Sequence, residues 1–456
     1  VKHWEAFEDV ADHCTLCHKC ATPCPVNIDF GDVSMNMRYL LHKMGRQRFR
    51  PAQAFQSWLV STVNPSAIQL GQQITHLGMQ AQRMAHRLLG TLARRQTRQP
   101  PATTGAPPLQ AQVIHFVNKK MPAGLPTKTA RALLDIEDRH YVPILRNPRT
   151  TSADAEAVFY FPGCGSERLF SQVGLATQAM LWHVGVQTVL PPGYLCCGYP
   201  QRGAGQQDKA NKLITDNRVL FHRVANTLNY LDIKTVIVSC GTCMDQLQKY
   251  EFEKIFPGCR LLDIHEFLME KGVKLEGVKG VRYMYHDPCH TPMKTHAPAK
   301  VLTGLLGTTV PLNERCCGES GTFAAVRPDI ATQVRFRKQQ EMEKGAARLR
   351  EDGYAGPVKV LTSCPSCLQG LSRFSGDTGT QADYIVVEMA RHVLGPDWLP
   401  RFVEKANRGG IERVQCHRFT ALDLGGDAHA AVIVLAVQTR GRLMRHQMQR
   451  IFLREL

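Results

Sequence analysis

The stretch "TVIVSCGTC", Thr235 to Cys243, joins an unbroken apolar run to a C-x-x-C pair, and "VKVLTSCPSC", Val358 to Cys367, does the same. An apolar run without polar alternation suits a strand covered on both faces, as in a parallel sheet. Two further runs share the pattern, "AVFYF" before Cys164 and "VRYMY" before His286. Each run is followed by a segment of helical length, so the predicted class is α/β with a mostly parallel sheet. After three of the four runs a cysteine follows at once or within three residues, at the sheet edge where open α/β sheets bind ligands.

The cysteines beyond residue 150 form two matching sets. The first is Cys164 in "FPGCG", Cys196 and Cys197 in "YLCCGYP", and Cys240 and Cys243 in "SCGTC". The second is Cys289 in "HDPCH", Cys316 and Cys317 in "ERCCGESG", and Cys364 and Cys367 in "SCPSC". From first cysteine to C-x-x-C is 76 positions in one set and 75 in the other. This is an internal duplication and predicts a pseudo-two-fold. The second unit is five residues shorter between its first cysteine and its vicinal pair, so the helix there should be shorter. Adjacent thiols form a relaxed disulfide with difficulty but can bind different metal atoms of one cluster. The glycine after each pair lets backbone N–H groups approach the sulfurs. A C-x-x-C at a helix start favours thiolates. A redox dithiol would use only the C-x-x-C, and tetrahedral zinc has no use for a fifth thiol. Iron–sulfur, zinc and dithiol chemistry all stay open at this point.

Upstream, "CTLCHKCATPCP" runs from Cys14 to Pro25. Cys14, Cys17, Cys20 and Cys24 have the C-x2-C-x2-C-x3-C-P spacing of bacterial ferredoxins, where the fourth cysteine ligates a second cluster. A lone copy is half of a pair. With valine as first residue, the chain is expected to continue upstream, with a second such run within roughly a hundred residues.

The net charge of +17 is spread along the chain and no nucleic-acid-binding signature accompanies it, so no nucleic-acid partner is expected. A basic surface also suits anionic substrates, acidic redox partners or a membrane face. The longest apolar run is far below a membrane span, so no transmembrane segment is expected. Asn64-Pro65 is a helix start. Leu70, Ile74, Leu77, Ala81, Met84 and Leu88 then mark one apolar stripe, which we expect to pack one domain on another rather than lie on a membrane. "QPPATTGAPP", Gln99 to Pro108, is a stiff linker.

The two C…CCG…CxxC units resemble the cysteine-rich CCG domains of the heterodisulfide reductase B-type subunit and the glycolate oxidase iron–sulfur subunit. With the ferredoxin run, residues 1 to about 414 resemble the C-terminal part of fused flavin/iron–sulfur 2-hydroxy-acid dehydrogenases of the D-lactate and D-2-hydroxyglutarate type. The resemblance implies a ferredoxin-type segment (1–50), a long helix and linker (51–155), CCG units at 156–275 and 276–400, and an extension (401–456) that departs from the family after about 414. It implies a ferredoxin-type [4Fe–4S] cluster and non-cubane [4Fe–4S] clusters on the ten CCG cysteines. It also implies FAD on an upstream or partner dehydrogenase domain and a quinone or other acceptor. The expected activity is therefore electron transfer as part of an oxidoreductase, with no catalytic residue in this chain. A thiol–disulfide oxidoreductase is the alternative, and a zinc-stabilised binding protein a third. His286, Asp287, His290 and Glu319 have no counterparts in the first unit and hint at a second site that handles substrate, quinone or proton. Cys259 and Cys416 stand apart as ordinary thiols. The expected location is cytoplasmic, where thiols stay reduced, with peripheral contact to the inner membrane as a further expectation.

Overall fold

The computed structural model describes residues 4–96, 108–152, 154–319 and 323–416. Strands β1 (Tyr141–Leu145), β2 (Ala157–Phe161), β3 (Gln187–Val189), β4 (Ile233–Val238) and β5 (Arg260–Asp263) lie in a first sheet. A second holds β6 (Arg282–His286), β7 (Leu312–Asn313), β8 (Val358–Thr362) and β9 (Thr380–Tyr384), and β10 (Ile411–Gln415) returns to the first. The orders are β10-β1-β3-β2-β4-β5 and β7-β6-β8-β9. The four apolar runs are β2, β4, β6 and β8, and all five residues of β2 are buried. The parallel ladder β3-β2-β4-β5 has the order of β7-β6-β8-β9, so the duplication extends to topology. The helix after the first cysteine is shorter in the second unit, as expected: 9 residues (Pro298–Leu306) against 13 (Ser171–His183). β1 and β10 add an antiparallel edge that the apolar runs did not announce.

The units meet reciprocally. Gly241 follows Cys240 and packs on the backbone of His290, which follows Cys289. Gly165 follows Cys164 and packs on Pro365, which follows Cys364. Contacts that exchange equivalent positions are what a pseudo-two-fold requires. One apolar core runs through the seam, with Tyr160 and Leu262 from one unit and Tyr285, Leu361 and Tyr384 from the other. At its far side Glu388 is buried, with Lys359 at 2.7 Å, Arg391 beside it and the Tyr283 hydroxyl donating at 2.8 Å. Burial would raise the Glu388 carboxyl, but Lys359 and Tyr283 outweigh it and hold it below its usual range. Its stabilisation is therefore present above about pH 4.3 and lost as pH falls through the lowered folded value. Glu388→Gln should flatten the acid limb of a plot of urea midpoint against pH.

The N-terminal part is helical: α1 (Trp4–His13), α2 (Phe30–Lys43), α3 (Pro51–Ser61), α4 (Pro65–Gln96) and α5 (Leu109–Val117). α4 begins where expected, Asn64 Oδ1 accepting from the Ala67 N–H at 3.2 Å. The packing of its stripe is corrected by the structure. Leu70, Ile74, Leu77, Met84 and Leu88 are exposed, and a polar face is turned inward. Gln82 donates to the carbonyls of Phe116 and Lys119 (3.1 and 2.9 Å), and Arg83 to Pro122 (2.9 Å). His76 lies 3.0 Å from the Pro126 carbonyl and His86 2.8 Å from that of Val117. The reason is hydrogen bonding: these carbonyls, at the end of α5 and in the loop after it, need donors as they are covered, and an apolar stripe has none. The Pro-rich linker lies outside the described residues apart from Pro108, as does the tail beyond 416. No described helix is long and apolar enough to cross a membrane.

Candidate metal centres

The strand ends place the cysteines. Cys240 and Cys364 are the N-cap residues of short helices, Gly241–Leu247 and Pro365–Ser372, with Cys243 and Cys367 in the first turns. Gly198 and Gly318, after the vicinal pairs, take φ of +89° and +73°, conformations that favour glycine. Gly318 then aims its N–H at the Cys316 sulfur, 3.4 Å away.

In each unit the five thiols stand as successive electrostatic neighbours in one chain. The order is Cys164–Cys196–Cys197–Cys243–Cys240 in the first and Cys289–Cys316–Cys317–Cys367–Cys364 in the second. The same links recur between equivalent positions, and Cys317 Sγ donates to Cys367 Sγ at 3.4 Å. Hydrogen bonds from Cys196 and Cys243 bring the Cys197 thiol down to about 6, and one from Cys243 brings Cys240 down to about 6. Burial and the same links push Cys243 up. Cys197 and Cys240 in the first unit and Cys316 in the second are thus drawn toward the thiolate form that metals bind, while Cys164, Cys196, Cys289 and Cys317 are pushed up. The fit is close: a Cβ at Gly163, where φ is +68°, would lie 2.6 Å from the Cys243 sulfur. At Gly370 it would lie 3.3 Å from that of Cys317. Both rims leave no room for a side chain beside the sulfurs. Five gathered thiols exceed a tetrahedral zinc site and suit a cluster.

The ferredoxin run folds as a loop with Leu16, His18 and Asn27 at φ of 55°, 56° and 54°. Cys20 accepts from the Phe30 N–H (3.2 Å), Cys14 lies at the Phe30 carbonyl (4.0 Å), and Cys24 accepts from the Ile28 N–H (3.3 Å). Cys17 goes elsewhere. Its thiol neighbours that of Cys289, which brings it down to about 5. The first loop therefore meets the second unit sulfur to sulfur.

The loop is clasped at the seam between the units. His18 Nδ1 is 2.5 Å from Asp29 and its Nε2 3.3 Å from the Tyr199 hydroxyl. His290 Nε2 lies 3.1 Å from the same hydroxyl and 2.8 Å from the Leu16 carbonyl. His290 Nδ1 is 2.5 Å from Asp245. Burial would lower this imidazole, but Asp245 holds it above its ordinary value.

The second centre carries charged or titratable side chains at positions that are apolar or amide in the first. His286 is buried with Nδ1 3.1 Å from the Asn313 carbonyl, and one ring nitrogen lies with the Cys317 and Cys367 sulfurs inside 4.8 Å. Burial and the Lys338 ammonium push the His286 imidazole down to about 3. Glu319 is buried against Arg335 (2.8 Å) and Arg373 (3.7 Å) and accepts from Gln369 (2.7 Å). Asp287 accepts from the Tyr285 hydroxyl at 3.4 Å, and burial raises its carboxyl. The helices Gln207–Thr227 and Pro328–Arg348 are both 21 residues long and register together, since Gly198 packs on Ala210 and Ile214 as Gly318 does on Ala331 and Arg335. In that register Ile214 answers Arg335, and Asn217 answers Lys338. Phe161, the last residue of β2, answers His286, the last of β6. Arg335, Lys338 and Arg373 went unnoticed in the sequence; aligning the two helices would have exposed the first two. Cys259 and Cys416 lie outside both thiol chains, half-buried against a separate apolar cluster of the first unit around Phe159 and Phe221, so Cys259→Ala and Cys416→Ala should leave iron per chain unchanged by chemical assay.

Residues 158–248 and 283–372 each match the family model described as "Cysteine-rich domain" (CCG), and 372–415 match a "Domain of unknown function" (DUF3400). The chain thus carries two CCG cysteine-rich domains. Among its relatives, the B-type subunit of the fumarate reductase (CoM/CoB) of Methanothermobacter marburgensis is 28% identical over 58% of this chain and 48% of its own length. "Lactate utilization protein A" of Exiguobacterium is 25% identical over 45% of this chain and 94% of the relative. The "Probable glycolate oxidase iron-sulfur subunit" of Bacillus subtilis is 25% identical over 46% of this chain and 48% of the relative. The chain therefore spans about half the length of two of these three.

Proposed function

We propose that this chain is the iron–sulfur electron-transfer module of a flavin-dependent 2-hydroxy-acid dehydrogenase of the D-lactate, glycolate or D-2-hydroxyglutarate class. Electrons would come from FAD on a partner domain or subunit and leave to a quinone or another carrier. The seating of the ferredoxin-type loop on the units carries this reading: His290, beside Cys289, lies 2.8 Å from the Leu16 carbonyl, and Cys17 neighbours Cys289 there. When bound, [4Fe–4S] clusters would supply one-electron steps. The chain's own residues would hold and tune them: Cys14, Cys17, Cys20 and Cys24 in the loop, and the ten repeated cysteines in the units. The Gly318 N–H and the buried cores around the sulfurs adjust potential and exclude water. Nothing in the sequence offers a flavin fingerprint, and hydride removal from a hydroxy acid calls for a two-electron acceptor.

The reconstituted chain with a dye acceptor should therefore turn over none of D-lactate, glycolate or D-2-hydroxyglutarate. Joined to its flavin dehydrogenase under anaerobic substrate, its visible absorption should bleach. Substrate-dependent bleaching by the isolated chain, with no flavin present, would place the catalytic site here and overturn the reading. The charged wall of His286, Lys338 and Glu319 supports a second reading, a thiol–disulfide oxidoreductase whose second centre meets the disulfide. Disulfide turnover with a reduced carrier, lost in His286→Ala while iron is retained, would favour it.

A further inference from the structure

The outward stripe on α4 is an amphipathic face of its own. Leu77, Met84 and Leu88 are 65, 67 and 77% exposed, and residues 70 to 92 extend about 33 Å along the helix. Gln73, Gln80 and Arg87 are exposed beside the stripe on one flank. A contiguous apolar patch of this length on a soluble surface marks an interaction site. Its charge setting is basic: between Asp32 and Asp135 the chain has 14 Lys and Arg and no Asp or Glu, with Arg48, Arg50, Lys119 and Arg131 paired to acids from other segments.

We propose that α4 is an interfacial helix, laid along the surface of an anionic lipid bilayer with its stripe in the acyl boundary. Apolar burial and attraction of basic groups to anionic headgroups together give such helices their affinity. The stripe spacing of four and three residues would also suit a coiled coil with a second copy. That pairing would bring two carboxylate-free, basic helices together, with no acid on either to answer Arg87, so charge favours the lipid surface. Trp58 sits where α3 crosses α4, 3.1 Å from a Cβ placed on Gly71, and is 39% exposed, a suitable place for an aromatic anchor.

The test is flotation of the full chain with phosphatidylcholine vesicles, with and without about one third phosphatidylglycerol. At least tenfold more protein should float with the anionic vesicles, and severalfold less as salt rises towards molar. Trp58 emission should shift to the blue, a change missing in Trp58→Phe. The double variant Leu77→Asp/Leu88→Asp should float at least tenfold less while keeping its iron content and urea midpoint. If that variant folds poorly, Leu77→Gln/Leu88→Gln serves instead, since both side chains already face water. Equal flotation of parent and variant, or none with either vesicle, overturns the proposal. So does a vesicle-free dimer that the variant dissociates, which would assign the face to a second copy.

Discussion

Cys316→Ala or Cys317→Ala will lower iron per chain, and Cys196→Ala or Cys197→Ala will do the same in the other unit. If each unit holds one cluster, the loss should approach about four irons per chain for either pair, with the matching fall in visible absorption. The reason is the shape of the donor set. Each vicinal pair occupies the middle of a five-thiol chain, so removing one member separates the first cysteine from the C-x-x-C. Metal binding is coupled to folding, so the affected half should also unfold at lower denaturant. Variants that keep full iron and lose only a redox-active disulfide would replace this reading with a dithiol. Iron retained in full with no such disulfide would sink both.

Gly241→Ala should be nearly as damaging without touching a ligand. Its Cβ would stand 1.5 Å from the His290 carbonyl oxygen, and that neighbour is backbone. Either the Gly241–Leu247 helix or the strand-end turn at Cys289 must move, and both carry thiols. A cost of about 3 kcal/mol or more is expected, at the upper end for overpacking. Gly165→Ala at the reciprocal contact meets Pro365 at 3.2 Å and should cost far less. Urea denaturation of the pair, with iron measured on each, separates the two. A Gly241→Ala chain as stable as its parent would mean that the seam is looser than its contacts imply.

The strand ends could be read from sequence because β2, β4, β6 and β8 are covered on both faces, and such strands write unbroken apolar runs. The repeat was legible because each cysteine sits where backbone geometry leaves little choice, as Gly198 and Gly318 show. Other features depend on what lies across from a residue. α4 carries a stripe that any periodicity count selects, yet it turns Gln82 and Arg83 inward because loop carbonyls wait there. Cys17 belongs by spacing to the ferredoxin run, and only the fold brings it to Cys289. Arg335 and Lys338 look like ordinary basic residues on a helix until their partners Glu319 and His286 are seen.

The reciprocal seam has a further consequence. A homodimer of one such unit could gather the same ten sulfurs, but its seam would open on dilution and every substitution would appear twice. Here the halves are tethered through the segment between β5 and β6, so each meets the other at a local concentration that dilution does not change. Tethering also releases the halves from identity. One keeps Phe161, Ile214 and Asn217 around its sulfurs, while the other has His286, Arg335 and Lys338 at the answering positions. Fusion thus turns a symmetric pair into two workplaces, one free to specialise while the other preserves the frame.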